Sequence, residues 1–171
     1  QYFPLYQQYL NDKSDRVVNA AAVAIGKSKH PKAFATLSKL RSKPSWKNQS
    51  LISCLNGLFQ LGDQAGIQIA LEALKDDPPQ PRWTLANTTW DYRFTAVSTL
   101  AKLGKVDQAH NIIVARLVKS LEENSILDIF NNVQLMSMLG DPRGQTQFDL
   151  LKKKYANNSE FLEVVTKFES D

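Results

Sequence analysis

Few residues in this chain have the chemistry of a catalytic or metal site, and their spacing does not form one. The sequence contains two histidines, His30 and His110. A hydrolytic zinc site needs two ligands one helical turn apart, as in His-Glu-x-x-His, and neither histidine is followed by that pattern. Their neighbours predict an N-cap or surface position for His30 and a helix-surface position for His110. We therefore expect no metal and no cofactor in this chain.

The one cysteine, Cys54, lies in the apolar run LISCLNGLF. This setting predicts a small core residue rather than an activated thiolate. A single cysteine excludes an internal disulfide, and a chain without disulfides is compatible with any compartment. The stretch Gly140-Asp-Pro-Arg-Gly144 fits a turn between helices better than a phosphate-binding loop. The residues thus predict neither catalysis nor a small-molecule site.

Side chains suited to forming contacts are concentrated in and after an irregular insertion at 76–90, DDPPQPRWTLANTTW. Its three prolines exclude a continuous helix, and irregular insertions in compact domains are often functional. Trp, Tyr and Arg are the residues enriched at the energetic centres of interfaces. We predict a contact surface formed by Arg82, Trp83, Trp90, Tyr92 and Arg93. The alternative is that Trp83 and Trp90 fold back and fill the groove between neighbouring helical pairs.

Four glycines organise the rest of the chain. Gly26, Gly62, Gly104 and Gly140 each end one apolar stretch and open another, at steps of 36, 42 and 36 residues. Glycine favours the left-handed conformation that ends a helix, and a period of this length is typical of stacked helical hairpins. The insertion accounts for the long step. The pattern predicts one all-α domain over 1–171, with hairpins at about 14–42, 45–75, 91–121 and 125–155 and a terminal helix at 159–168.

Composition indicates a folded and mildly basic chain. Hydrophobic residues make up 43% of the sequence, the net charge is +4, and lysines cluster in KSKHPK, KLRSK and KKK. Such clusters bind phosphates or acidic protein, although a solvated helical face is the simpler interpretation. No run approaches the ~20 apolar residues that span a bilayer, so we expect no membrane partner. Without a signal peptide and with Gln at position 1, the chain is expected to be a soluble fragment of a larger protein.

Four strings in the sequence are similar to a known family: SDRVVNAAAVAIGKSKHPKAF (14–34), KPSWKNQSLISCLNGLFQLGD (43–63), PRWTLANTTWDYR (81–93) and IFNNVQLMSMLGDPRGQ (129–145). Together they resemble the C-terminal HEAT-like region that follows the catalytic core in some bacterial zinc aminopeptidases of the aminopeptidase N type. The resemblance covers most of the chain. It implies a right-handed α-solenoid of about four HEAT-like hairpins with additional terminal helices.

The resemblance also implies a parent enzyme that removes N-terminal residues from peptides. In that family a His-Glu-x-x-His motif and a distal Glu hold zinc, and a Gly-x-Met-Glu-Asn loop grips the substrate amine. None of these motifs occurs here, so no catalytic residue or zinc ligand transfers to this sequence. The resemblance thus implies a non-catalytic accessory domain whose partner is the catalytic domain of its parent or another protein. Zinc is expected in the parent only.

Two alternatives come from different functional classes. One is a stand-alone protein-interaction scaffold, similar to the HEAT-like proteins that serve phycobilin lyases. The other is a nucleic-acid-binding module, because some HEAT-like alkylpurine DNA glycosylases combine a basic face with tryptophan and aspartate, as at Trp90, Asp91 and Arg93. A net charge of +4 is small for a face that binds duplex DNA, which argues against this second alternative.

Overall fold

The structure, a computed structural model, describes residues 2–75 and 92–170. Every regular element in these two ranges is a helix, which confirms the predicted all-α class. The chain divides into two compact units, Gln1–Lys105 and Val106–Asp171, and the division falls inside the predicted hairpin 91–121. The helices are α1 (Phe3–Tyr9), α2 (Asp15–Ser28), α3 (Ala33–Ser38), α4 (Gln49–Leu61), α5 (Ile67–Lys75), α6 (Tyr92–Lys102), α7 (Val106–Glu122), α8 (Ile126–Leu139), α9 (Gly144–Lys154) and α10 (Ser159–Ser170).

The entry into α4 differs most from the sequence pattern. Within the hairpin predicted at 45–75, residues Trp46–Asn48 form a short 3-10 turn and α4 begins only at Gln49. Lys47 and Asn48 have φ angles of 48° and 57°, which no α-helix contains. The Ser45 hydroxyl accepts a hydrogen bond from the Ser50 backbone N–H at 2.8 Å, so one N–H of the first turn of α4 has a partner.

Helix α4 is the centre of the first unit. It packs against α2, α3 and α6, while α5 packs against α6. The side chains of Ile25, Leu55, Leu58 and Leu100 are at most 1% exposed and form the shared core. The main packing partners of α4 are therefore α2 and α6, and α5 packs on α6.

The crossing of α2 and α4 brings the two backbones into direct contact. A Cβ atom built on Gly26 would lie 2.1 Å from the carbonyl oxygen of Gly57, and one built on Gly57 would lie 2.9 Å from the carbonyl oxygen of Ala22. Nearby, Asn56 Nδ2 donates a hydrogen bond to Asn19 Oδ1 at 2.8 Å across the same pair of helices. The close approach therefore depends on the absence of side chains at the two glycines.

The structure corrects the role predicted for Gly26. Gly62, Gly104 and Gly140 have φ angles of 66°, 71° and 65°, so they are the predicted left-handed helix ends. Gly26 lies inside α2, which continues to Ser28, and the left-handed residue is Lys29 with φ 51°. The Lys29 ammonium also donates to the carbonyl oxygen of Gln60 at 2.5 Å, at the C-terminal end of α4. Gly26 thus serves helix packing and not helix termination.

In the second unit α8 is the central helix, and it packs against α7, α9 and α10. Asn132 of α8 donates to the Ser120 hydroxyl of α7 at 3.0 Å within the buried interface. The terminal helix α10 contributes Phe161, which is 2% exposed and stacks on Tyr155 with ring centroids 4.1 Å apart. The helix predicted at 159–168 therefore completes the core of this unit.

Replacing Gly26 with alanine should destabilise the first unit. Alanine gains about 0.5–1 kcal/mol of helix preference over glycine, but overpacking a close crossing costs about 1–3 kcal/mol or more. The clash at 2.1 Å is with backbone, which cannot rotate away, so we expect a net loss of unfolding free energy in urea.

The matched control is Gly66→Ala. Its Cβ would lie 3.5 Å from Leu58 Cβ, an ordinary van der Waals distance. This variant should stay within about 0.5 kcal/mol of the wild type. Equal stability of Gly26→Ala and wild type would contradict the backbone contact described above.

Candidate functional site

The structure describes only two of the five residues predicted to form a contact surface around the insertion, Tyr92 and Arg93. Arg82, Trp83 and Trp90 lie outside the described residues, so their part of the prediction stays a prediction. Tyr92 and Arg93 form the first turn of α6 and are 1% and 3% exposed. Their side chains belong to the interior of the first unit and are not available as an open surface.

An apolar groove lies between α1 and α2 in the first unit. It encloses about 310 Å³. On α1 the aromatic rings of Tyr6 and Tyr9 form one wall, and on α2 the opposite wall consists of small residues. The lining residues are Tyr6, Tyr9, Val17, Ala20, Ala21 and Ala24. Positions 17, 20, 21 and 24 follow helical spacing, so they form one continuous stripe on α2.

Helix α1 is held in place by contacts at both of its ends. Near its start, the buried Phe3 ring stacks on the His30 ring with centroids 3.9 Å apart. After its end, the Lys43 ammonium donates to the carbonyl oxygen of Leu10 at 2.9 Å. His30 Nδ1 accepts a hydrogen bond from the Lys32 N–H at 3.1 Å, but α3 begins at Ala33 with Lys32 as its N-cap, so the N-cap role predicted for His30 is wrong. The groove is thus a fixed feature of the unit.

Trp46 is the most exposed large apolar residue among those described, with 63% of its surface accessible. The Lys47 ammonium lies 4.4 Å from the centroid of the Trp46 ring, within the range of a cation–π interaction. Left-handed backbone costs roughly 1–2 kcal/mol at a residue with a Cβ, and both Lys47 and Asn48 adopt it beside this ring.

Positive charge is concentrated in the first half of the chain. Residues 16–62 contain no Asp or Glu. The cations in this range are Arg16, Lys27, Lys29, Lys32, Lys39, Arg41, Lys43 and Lys47. Lys29 lies at the end of α4, and Arg41 forms a 2.8 Å ion pair with Glu72 of α5. Positive side chains therefore outnumber negative ones in this part of the sequence.

A buried carboxylate organises the turn between α8 and α9 in the second unit. Asp141 is 9% exposed, and its Oδ1 accepts from the backbone N–H of Arg143 and from its Nε, each at 3.0 Å. The side-chain hydrogen bonds from Arg143 hold the pKa of Asp141 at about 2, below its ordinary 3.8. Arg143 Nη2 also reaches Asp107 of α7 at 2.7 Å. This network joins the start of α7 to the α8–α9 turn.

His110 is buried beside this network, which corrects its predicted position on a helix surface. It is 8% exposed, and its Nδ1 lies 3.6 Å from Asp141 Oδ2, too far for a hydrogen bond. Both oxygens of Asp141 already accept hydrogen bonds from Arg143. The side-chain hydrogen bonds of the Asp141 carboxylate in the structure therefore come from Arg143.

The thiol of Cys54, a potential nucleophile, is fully buried. Cys54 is 0% exposed, and burial raises the pKa of its thiol to about 12. The thiol is therefore protonated at neutral pH and inaccessible to a substrate, as the apolar sequence around it predicts.

Within residues 2–75 and 92–170, no group of three or more His, Cys, Asp or Glu side chains is arranged to hold a metal ion. Across the same ranges, no helix has both the length and the apolar character to cross a membrane.

Comparison with known proteins does not assign the chain to a family. No protein-family model matches it, and a search of curated proteins finds no significant match. Functional interpretation therefore depends on the surfaces of the chain itself.

The Asp141 network predicts how stability changes in acid. Because the folded pKa of about 2 lies below the ordinary 3.8, ionised Asp141 stabilises the fold above about pH 4. This contribution decreases as the pH falls towards 2. We expect Asp141→Asn to lower the melting temperature near neutral pH, and we expect its difference from wild type to shrink as the pH is lowered.

Asp149→Asn is the control for this measurement. Asp149 is exposed and accepts a hydrogen bond only from Gln145 among the contacts of the described chain, at 3.0 Å. Its substitution should leave the melting temperature close to that of wild type at every pH. A constant difference between Asp141→Asn and wild type from neutral pH to about pH 2 would disagree with the lowered pKa.

Proposed function

We propose that this chain is a non-catalytic, helical-repeat accessory domain that binds protein, and that its partner is the catalytic unit of an aminopeptidase-N-like zinc metallopeptidase. In this proposal the helical pairs are HEAT-like hairpins of a right-handed solenoid. The partner is suggested by the sequence resemblance, and protein binding is supported by the surfaces of the first unit. Zinc and the catalytic residues would belong to the partner.

The observation that carries the proposal is the apolar groove between α1 and α2. Helix α4 has helices on two sides, α2 and α6. Helix α2 packs on α4 with one face, while its stripe at Val17, Ala20 and Ala24 borders a groove beside the seven-residue α1. A stripe of small residues lets another helix approach closely, as the α2–α4 crossing demonstrates at Ala22 and Gly26.

The occupant that fits this groove is an amphipathic helix of the partner. Its apolar residues would recur at i, i+3 or i+4, and i+7 and would lie along the alanine stripe. The rings of Tyr6 and Tyr9 would flank it, and Tyr9 is already 45% exposed at the rim. Such a helix would continue the succession α6, α4, α2 by one further layer.

The alternatives receive less support from the described residues. A base-excising or DNA-binding module would need Arg93 on an accessible basic face, but Arg93 is 3% exposed. A stand-alone scaffold would use the same groove for a different protein partner. The two protein-binding alternatives are therefore separated by identifying the partner.

The decisive experiment expresses the complete coding sequence from which this chain comes and measures hydrolysis of aminoacyl reporter substrates. We expect zinc-dependent activity in the complete protein and none in residues 1–171 alone. A second version without these residues should differ in stability, assembly or peptide-length preference. Absence of any peptidase activity in the complete protein would reject the aminopeptidase partner and leave the scaffold.

The groove itself is tested by Ala20→Glu. A carboxylate in the alanine stripe would be buried without a partner by an incoming helix, so binding to the catalytic unit should weaken by at least tenfold in calorimetric titration. Ala20 is exposed in the structure, so the free chain should keep its helix content by circular dichroism.

The matched control is Ala35→Glu, which introduces the same charge at an exposed alanine of α3 outside the groove. It should bind like wild type. Equal weakening by both variants would point to a charge effect, and wild-type affinity of Ala20→Glu would exclude the groove as the interface.

A further inference from the structure

The outward face of α2 carries charge as well as small apolar side chains. Positions 16, 20, 23 and 27 follow the spacing i, i+4, i+7 and i+11, so Arg16, Ala20, Val23 and Lys27 lie in one row along the helix. We call these four residues the α2 row. Arg16, Ala20 and Lys27 are exposed, and Val23 is half-buried. The row therefore has an apolar centre with one cation at each end.

The α2 row is separate from the face by which α2 packs on α4. Asn19 Oδ1 accepts a hydrogen bond from Asn56 of α4 at 2.8 Å, and the backbones of Ala22 and Gly26 lie against α4 on the same side as Asn19. Ala20 of the row lines the groove beside α1. A helix that enters the groove therefore meets the α2 row along its length.

The two cations of the row form no ion pair and no side-chain hydrogen bond with the described residues, and no other interaction engages them. Asp12 accepts a hydrogen bond from a backbone N–H two residues later at 2.8 Å. Asp15 precedes Arg16 but follows the helical row of Asn19, which faces α4. The positive end of the helix dipole disfavours a cation in the first turn of α2, so helix stability does not explain Arg16. Carboxylates of a partner can therefore pair with Arg16 and Lys27.

The distance between the two cations defines the spacing of those carboxylates. Arg16 and Lys27 are about 16 Å apart along the helix axis, because an α-helix rises about 1.5 Å per residue. A partner helix that lies along α2 has the same rise, so its carboxylates reach both cations only when they are three turns apart. The spacing i, i+4, i+7, i+11 is the same in both directions along a helix, so it applies to a parallel or an antiparallel partner.

We infer, resting on the proposed function, that the partner helix bound beside α2 carries an acidic residue at each end of its contact face, at positions i and i+11. Small or apolar residues occupy i+4 and i+7 and pack on Ala20 and Val23. The two carboxylates pair with Arg16 and Lys27. Exposed charge pairs of this kind contribute more to the choice of partner and to the rate of association than to affinity.

A second copy of this chain fits the α2 row less well than an acidic partner helix. In a two-fold symmetric dimer the same surface patch meets itself, so two α2 helices packed side by side would run antiparallel. Arg16 of one copy would then lie opposite Lys27 of the other. Like charges in opposition disfavour such a pairing. Dimer formation is therefore tested as the competing outcome.

The experiment measures binding of residues 1–171 to fluorescein-labelled helical peptides, by fluorescence anisotropy at low and high salt. The first peptide carries Glu at i and i+11 with Ala and Leu at i+4 and i+7, and the second carries Gln in place of both Glu residues. We expect the Glu peptide to bind about five- to tenfold more tightly at low salt, since two exposed ion pairs each contribute modestly. The difference should decrease at high salt, because exposed charges are screened.

A charge swap locates the two ion pairs. The double variant Arg16→Glu/Lys27→Glu should bind the Glu peptide more weakly than the Gln peptide and should prefer a third peptide with Lys at i and i+11. A general loss of stability cannot reverse the preference in this way. The matched control is Lys39→Glu, because this exposed lysine of the same unit lines a separate cavity with Gln8 and Thr36. It should keep the wild-type preference, and circular dichroism checks that each variant keeps its helices.

Three results would overturn the inference. Equal binding of the Glu and Gln peptides at low salt, with both weakened by Ala20→Glu, would keep the groove as a binding site and reject its charge pattern. Absence of binding by every peptide would reject the groove as well. A dimer in analytical ultracentrifugation that is abolished by Ala20→Glu would assign the α2 row to a second copy. The peptidase activity of the complete protein is measured separately, so failure of the proposed aminopeptidase partner is distinguishable from failure at the α2 row.

Discussion

The backbone contact between α2 and α4 is the constraint on which the first unit depends. At Gly26 and Gly57 the two helices approach so closely that a single methyl group would lie 2.1 Å from a carbonyl oxygen. Packing at this distance is possible only without side chains, and it sets how α2 is rotated about its axis. The rotation buries Ala22 and Ile25 against α4 and turns the stripe containing Ala20 and Ala24 towards α1. The groove is thus a consequence of the crossing.

The groove of this unit offers one kind of physical interaction. It is lined by tyrosine rings and small aliphatic side chains, so its contribution to binding is burial of apolar area. Lys43 joins the segment before α4 to the end of α1, which forms one wall of the groove.

In the second unit, contacts between charged side chains hold the turn between α8 and α9. Burying the carboxylate of Asp141 would be costly without partners, and Arg143 supplies hydrogen bonds to both of its oxygens. The same arginine reaches Asp107 of α7, so one side chain connects the turn to a second helix. His110 and Asp141 are both buried in this unit.

Features that depend on local conformation could be predicted from the amino-acid sequence. Helical spacing of apolar residues predicted the all-α class, glycine's tolerance of positive φ predicted the turns at Gly62, Gly104 and Gly140, and an apolar run predicted the burial of Cys54. These properties depend on a residue and its near neighbours, so a single sequence was sufficient to recognise them.

Burial at contacts between residues distant in sequence could not be predicted in this way, because it depends on how the helices pack. Gly26 has the sequence context of a turn glycine but serves the crossing, because Gly57 lies opposite it on another helix. Arg93 and His110 are polar yet buried, while Trp46 is apolar yet exposed. Periodicity shows that a helix has two faces, but which face meets a neighbour depends on the rotation and distance set by packing between segments far apart in the chain.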